Sequence, residues 1–220
     1  MVVLLWHIWN RRNLKVHNDN VPPPWLTVLN ARKLQQEFLG TLLNQPGSAI
    51  SRPTSGTSWK KPKSDIIKIN FDGAYRSTNG AAAVRVVARD NHGMVVAGCC
   101  KYIAESNNAF VVEAFACFEA ILLALDRRWS KVEITGYAAN VINMLNDPVS
   151  GISTLENYLT EARALMQQHP HLKIGYTPRS ANVVAHTLAN WALIQQTSFY
   201  FYFECPECIS ACALNDATFG

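Results

Sequence analysis

The apolar and polar positions of this chain are most regular from residue 66 onward. "IIKINFDGAY" sets Ile67, Ile69 and Phe71 against Lys68, Asn70 and Asp72, a period of two that predicts a strand with one buried face. "AVRVVARDNHGMVVAGCCKYI" predicts two further strands, joined at Asp90-Asn91-His92-Gly93, where Asx residues and a glycine suit a hairpin. Residues 109–127, "AFVVEAFACFEAILLALDR", are apolar on most sides and long enough for a helix of about five turns. Such a helix must be largely buried. "KVEITGYAANVINML" then passes from a β-branched strand through a glycine into a helix, followed by a helix around residues 154–168, a strand "LKIGYTP", and a last helix from Ala181 to about Gln195. A meander of three antiparallel strands followed by strands alternating with helices is an α/β pattern, a mixed sheet with helices on its faces.

Upstream the pattern is looser. An apolar opening, "VVLLWHIW", is followed by three consecutive prolines at residues 22–24, which forbid regular structure there. Leu29, Leu34, Phe38, Leu42 and Leu43 then recur near helical spacing. Residues 45–65 are rich in Ser, Pro, Gly and Lys and read as a linker. The expected organisation is a helical N-terminal segment (1–44), a linker (45–65), an α/β domain (66–196) and a C-terminal tail (197–220).

Charge sharpens this division. Residues 1–64 carry 9 Lys/Arg against 2 Asp/Glu, residues 65–196 carry 11 against 11, and residues 197–220 carry none against 3. The net charge of +4 therefore belongs to the N-terminal segment, and the α/β domain lacks the overall positive field of a strong non-specific nucleic-acid binder. Six cysteines in 220 residues and no Asn-x-Ser/Thr sequon speak for a reducing, intracellular compartment, nuclear or cytoplasmic, rather than secretion. The opening apolar run lacks a basic flank before it, is interrupted by His7, and falls far short of the ~20 residues that span a bilayer. It predicts neither a signal peptide nor a membrane partner.

Three ionisable groups stand out by position. Asp72 lies on the polar side of the first strand beside Gly73, Glu113 interrupts the apolar helix, and His186 sits on the last helix between Ala185 and Thr187. A lone acid in a buried helix is costly unless it is paired or binds a cation. Singly, each also has an ordinary structural reading, which weighs more: Asp72 as a turn residue, Glu113 as an acid in the first helical turn favoured by the dipole, His186 as a surface or satisfied core histidine.

In combination they fall into a known order. "IKINFDGAY", a hairpin ending "RDNHG", "EAFACFEAILLAL", the strand "VEIT" and "RSANVVAHTLANWAL" resemble, in this sequence, the plant type 1 ribonuclease H domain of retroelement-derived, reverse-transcriptase-like proteins. The resemblance covers about residues 59–196, from Trp59 and Pro62, and "LLWHIWNRRN" is similar to the segment preceding this domain in plant non-LTR retroelement polyproteins. It implies a ribonuclease H-like fold with a five-stranded mixed sheet, three antiparallel strands then two parallel. It also implies an RNA/DNA hybrid as partner and cleavage of the RNA strand with Mg2+ or Mn2+, the cations being held by four carboxylates and activating a water for in-line displacement. Carried over by position, the first carboxylate is Asp72 and the helical one Glu113. The third falls on Tyr137 and the fourth on His186, a position where plant relatives also carry histidine. Arg179 and Asn182 in "PRSAN" match substrate-contacting positions, Asn182 also reading as a helix cap. In the first hairpin, Ala83 and Arg85 stand where glycines are expected, with Arg85 a candidate phosphate contact.

The two replacements change the expected chemistry. A tyrosine hydroxyl carries no charge at pH 7 and its ring adds bulk, while Mg2+ accepts imidazole nitrogen poorly. Glu133 and Thr135 share the strand parity of Tyr137, but Glu133 lies about 13 Å back at ~3.3 Å per residue. Three readings stay open: a hybrid-binding domain with impaired cleavage, an active Mg2+- or Mn2+-dependent endonuclease, and a fold kept as a protein-interaction module or decaying remnant. Elsewhere, Cys205, Cys208 and Cys212 form a Cys-x2-Cys-x3-Cys series without a fourth zinc ligand and read as isolated thiols of the tail. "KKPK" reads as solvated linker before nuclear signal. "FYFYF" (199–203) is an aggregation hazard unless it packs on the domain.

Overall fold

The computed structural model describes residues 58–106, 108–146 and 154–220, together with residues 8, 11, 12, 15, 27 and 28. The helical segment expected over residues 1–44 and the linker up to residue 57 lie outside the described residues apart from those six.

The elements follow the periodicity closely. Strands β1 (Ile67–Tyr75), β2 (Ala82–Arg89) and β3 (Val95–Ile103) form the antiparallel meander, and α1 (Ala109–Asp126) follows. Then come β4 (Val132–Gly136), α2 (Ala139–Asn146), α3 (Thr154–Gln168), β5 (Leu172–Tyr176), a 3-10 turn over Arg179–Ala181, and α4 (Val183–Gln195). The expected hairpin forms between β2 and β3: Asp90 Oδ1 accepts from the backbone N–H groups of His92 and Met94, and Gly93 takes φ +84°. Helix α1 starts where Asn108 caps it, its side chain accepting from the Phe110 N–H.

One expectation is corrected at the C-terminus. Residues 197–220 are not a loose tail; they form β6 (Phe199–Tyr202) and α5 (Glu207–Phe219). The sheet therefore has six strands, not five, in the order β5-β4-β1-β2-β3-β6. β4 is parallel to both β1 and β5, and β6 adds antiparallel to β3, opposing Tyr202 to Ala97 and Phe199 to Cys100. The aromatic run is thus a packed edge strand, with Phe201 buried against Gly98. A second correction concerns the linker's end: Trp59 and Pro62 are buried, so the domain begins before residue 66.

Alternation along the strands sorts side chains into two layers. Ile69, Phe71, Val84, Val86 and Cys99 pack with α1, α2 and α3 in the larger core. Val87, Val95 and Cys100 pack with Val184 and Leu188 of α4 and Ile209 of α5 on the other face. Each fully buried Ile, Leu or Phe contributes roughly 1.5–3 kcal/mol relative to exposure. The second layer also holds a cluster of charge: Asp72, Arg85 and Arg89 are all buried there. Since β1, β4 and β5 are mutually parallel, their carboxyl ends meet at one edge, where ligands of open α/β sheets gather.

Candidate nucleic-acid interface at the strand ends

Two close backbone approaches build this edge. A methyl group on Gly73 would lie 3.1 Å from the Glu113 nitrogen and the Val112 carbonyl carbon, so any side chain there would push β1 and α1 a few tenths of an ångström apart. A methyl on Gly136 would collide with the Phe71 ring, its partner in the β1–β4 register. Glycines therefore set both Asp72–Gly73 and the β4–α2 junction.

Asp72 is 6% exposed and faces α4. Its Oδ2 lies 3.2 Å from His186 Nδ1. On the far side of the ring, Nε2 lies 3.1 Å from Arg179 Nη2 and 3.2 Å from Asn190 Nδ2. A guanidinium only donates, so Nε2 accepts and the ring proton sits on Nδ1, donating to Asp72. Arg179, His186 and Asp72 thus form one donor chain running from solvent into the fold. Burial pushes the Asp72 carboxyl above its ordinary value, opposed by the His186 hydrogen bond and by the charges of Arg85 and Arg179.

Glu113 lies one helical turn into α1, past the first-turn position that the dipole reading required. Its Oε2 accepts from the Gly73 N–H at 3.1 Å, turning the carboxyl inward although the residue as a whole is half-buried. Burial, reinforced by the nearby Asp72 charge, pushes it up to about 8. At pH 7 the Glu113 carboxyl is therefore largely protonated.

Tyr137 stands at the end of β4 with 44% of its surface exposed, and Tyr176, ending β5, is 54% exposed. Their ring centroids are 6.4 Å apart at 41°, and the Arg179 guanidinium carbon lies 6.0 Å from the Tyr137 centroid. Tyr176 and Asn190 escaped the sequence reading. The available signal for Tyr176 was its position, an aromatic closing a parallel strand beside Tyr137.

Two sequence-predicted contacts do not reach solvent. Arg85 is fully buried beneath α4, donating to the carbonyls of Ala189 and, at 3.3 Å, Ala83. It cannot reach a phosphate, and burial lowers its guanidinium to about 10. Asn182 is also buried; its Nδ2 donates to the Phe71 carbonyl at 2.9 Å, and it makes no side-chain cap bond to α4. It ties the start of α4 to β1 one residue before Asp72, a positioning role rather than a substrate contact. Glu133 pairs in register with Lys68 and Lys173, three rows from Gly136, too far to replace a carboxylate at Tyr137. Arg179 is exposed at the edge, as a substrate contact requires.

These donors do not suit a two-cation centre. Asp72 and Glu113 are the two carboxyls; Tyr137 brings a phenol; the one free-pair nitrogen of His186 already accepts from Arg179. Two carboxyls suit one divalent ion at most. Among the described residues no three His, Cys, Asp or Glu side chains gather as a metal-binding group. Cys205, Cys208 and Cys212 are free thiols packed with Cys100 around α5, and burial lifts Cys208 to about 11. No helix among the described residues is long and apolar enough to cross a membrane.

Comparison with known proteins agrees with this geometry. Residues 70–192, more than half of the chain, match the reverse transcriptase-like family. An Arabidopsis thaliana protein named "Putative ribonuclease H protein" is 25% identical over 162 residues, covering 74% of this chain. The chain spans only 26% of that relative's length. RNase H1 of the halophilic archaeon Halobacterium salinarum superposes with a TM-score of 0.54 at 26% identity, over 60% of this chain and 99% of that one. LC11-RNase H1, isolated from compost and crystallised with an RNA/DNA hybrid, shares the fold at 23% identity and a TM-score of 0.53, over 59% and 98% of the two chains. With its strand order, its Asp72–Glu113 edge and these likenesses, the chain belongs to the reverse transcriptase-like family and carries a ribonuclease H-like domain.

Proposed function

We propose that this domain binds RNA/DNA hybrids and cleaves them poorly or not at all. The observation that carries this reading is the Arg179–His186–Asp72 chain, which occupies the first carboxylate with an internal partner while Tyr137 replaces the third. Related folds hold hybrid in a solved complex, and the exposed Arg179 at the strand ends supplies a charge for phosphate. Any Mg2+- or Mn2+-dependent endonuclease activity would rest on Asp72 and Glu113 alone, with Glu113 needing to lose a proton first.

The test is hybrid binding by fluorescence anisotropy across a salt series, run beside cleavage of the same end-labelled hybrid in Mg2+ and in Mn2+. Salt-sensitive binding without cutting is the expected result, since phosphate contacts release counterions. Metal-dependent cutting abolished by Asp72→Asn would overturn the impaired reading, and absence of binding would overturn the hybrid assignment. Restoring charge with Tyr137→Asp and His186→Asp together is expected to raise Mg2+ affinity at least tenfold, roughly 1.4 kcal/mol, measured by calorimetry.

A further inference from the structure

Tyr137 follows β4 at the position where the resemblance expects a carboxylate, and it brings an exposed neutral phenol. Its ring faces a second exposed tyrosine from the neighbouring strand. β4 and β5 run parallel with Gly136 opposite Tyr176, and the Thr177 N–H donates to the Gly136 carbonyl at 2.9 Å, so the bases of both side chains are pinned by sheet hydrogen bonding. The rings lie 6.4 Å apart and tilted by 41°, so neither covers the other's full face. Arg179 stands beside Tyr137 as an exposed cation.

We infer that Tyr137, Tyr176 and Arg179 form a stacking platform for an unpaired nucleobase, so that the domain engages a single strand adjoining the hybrid duplex. Three observations select this occupant. Aromatic rings on a rigid sheet edge offer π-faces, and base stacking on such rings needs no sequence-specific hydrogen bonds. The adjacent guanidinium complements a phosphodiester and stacks on bases as well. The platform also lies at the carboxyl ends of three parallel strands, beside Asp72, where a strand leaving a bound duplex would pass. Inside a duplex each base is covered on both faces by its stacked neighbours, so the platform favours unpaired nucleotides. The inference deepens the hybrid-binding reading by naming the form of substrate, but single-strand binding can be measured without it.

The experiment compares the whole chain on four probes: a blunt RNA/DNA hybrid, the same hybrid with a short DNA overhang, the same with a short RNA overhang, and a single-stranded oligonucleotide. An overhang is expected to tighten binding about tenfold over the blunt hybrid, since one stacked base contributes that order of affinity. Tyr176→Ala should remove the gain, read as the ratio of overhang to blunt-hybrid affinity within each variant, whereas Tyr176→Phe should keep it. Tyr137→Ala should also reduce the gain. The DNA and RNA overhangs identify which strand is held. Binding of the single strand and the overhang without affinity for the blunt hybrid would support the platform while overturning the hybrid reading. Equal affinity for blunt and overhanging hybrids, or a gain that survives Tyr176→Ala, would overturn the platform while leaving the hybrid reading intact.

Discussion

Arg85 and Arg89 lie four residues apart on the same face of β2, both buried, yet the fold treats them differently. Arg89 receives a charged partner and an aromatic cover: Asp216 of α5 at 2.7 Å, Asn70 Oδ1 at 2.8 Å, and the Trp59 ring 3.6 Å from its guanidinium carbon. Arg85 hydrogen-bonds backbone carbonyls of Ala83 and Ala189. Its register partner, Asp72, bonds His186 instead. One carboxylate is committed to structure and the other is left at the crevice. The contrast separates two uses of buried charge: Asp216 ties the C-terminal helix to the sheet, while Asp72 stays in reach of solvent through a histidine and an arginine.

The largest expected effect lies at the structural end. Asp216→Ala leaves Arg89 buried with its charge uncompensated and is expected to cost about 3–5 kcal/mol in denaturant unfolding. Asp72→Asn should cost less, about 1 kcal/mol at pH 7, because an amide oxygen still accepts from His186 Nδ1 and Arg85 keeps its backbone carbonyl acceptors. Equal losses for the two substitutions would collapse the distinction between a structural and a reserved carboxylate.

This division explains what could be read from residues alone. The period-two run of β1 and the apolar length of α1 are local signals, and both elements formed as expected because each buries a face that its own sequence defines. β6 and α5 were missed for a nonlocal reason. "FYFYF" becomes an edge strand only by pairing with Ala97–Cys100 a hundred residues away, and α5 is fixed by Asp216 reaching an arginine on β2. Arg85 misled because an arginine in a strand usually extends to solvent; here α4 lies across it and offers the Ala189 carbonyl. Asp72, Glu113, Tyr137 and His186 were legible by their order along the chain, and they do converge at one edge. The donor chain through Arg179 was not, since it depends on which ring nitrogen faces which element.

A pH profile probes the functional side of the comparison. Glu113 ionises near 8 in the folded protein and near its ordinary value of 4.5 when unfolded. Between those values the folded state holds a proton that the unfolded state has released, so stability falls as pH rises, by at most about 1.4 kcal/mol per pH unit. Below 4.5 and above 8 this contribution is flat. Glu113→Gln carries no ionisable group and is expected to lose that slope, becoming the more stable form toward pH 8 when both are measured in chelator. A difference curve without slope would mean that the Glu113 carboxyl is not desolvated. Added divalent cation should oppose the effect in the wild type, since it favours the charged carboxylate.

The smallest effect on stability, and the most specific, belongs to Arg179. It is exposed, so Arg179→Ala should change unfolding free energy by less than about 1 kcal/mol. Its influence lies in which nitrogen of His186 holds the proton. Arg179 can only donate, whereas Asn190, the other neighbour of Nε2, can rotate its amide to offer an oxygen. With Arg179 present, the neutral ring must keep its proton on Nδ1, facing Asp72. Ring nitrogen-15 shifts recorded at a pH where His186 is neutral should show that single tautomer in the wild type and in Arg179→Lys, and a mixture in Arg179→Ala. A mixture already in the wild type would break the donor chain and return Asp72 to an ordinary buried acid. Retention of the single tautomer in Arg179→Ala would assign the lock to the Asp72 carboxyl, which accepts from Nδ1, leaving Arg179 free to serve the nucleic acid alone.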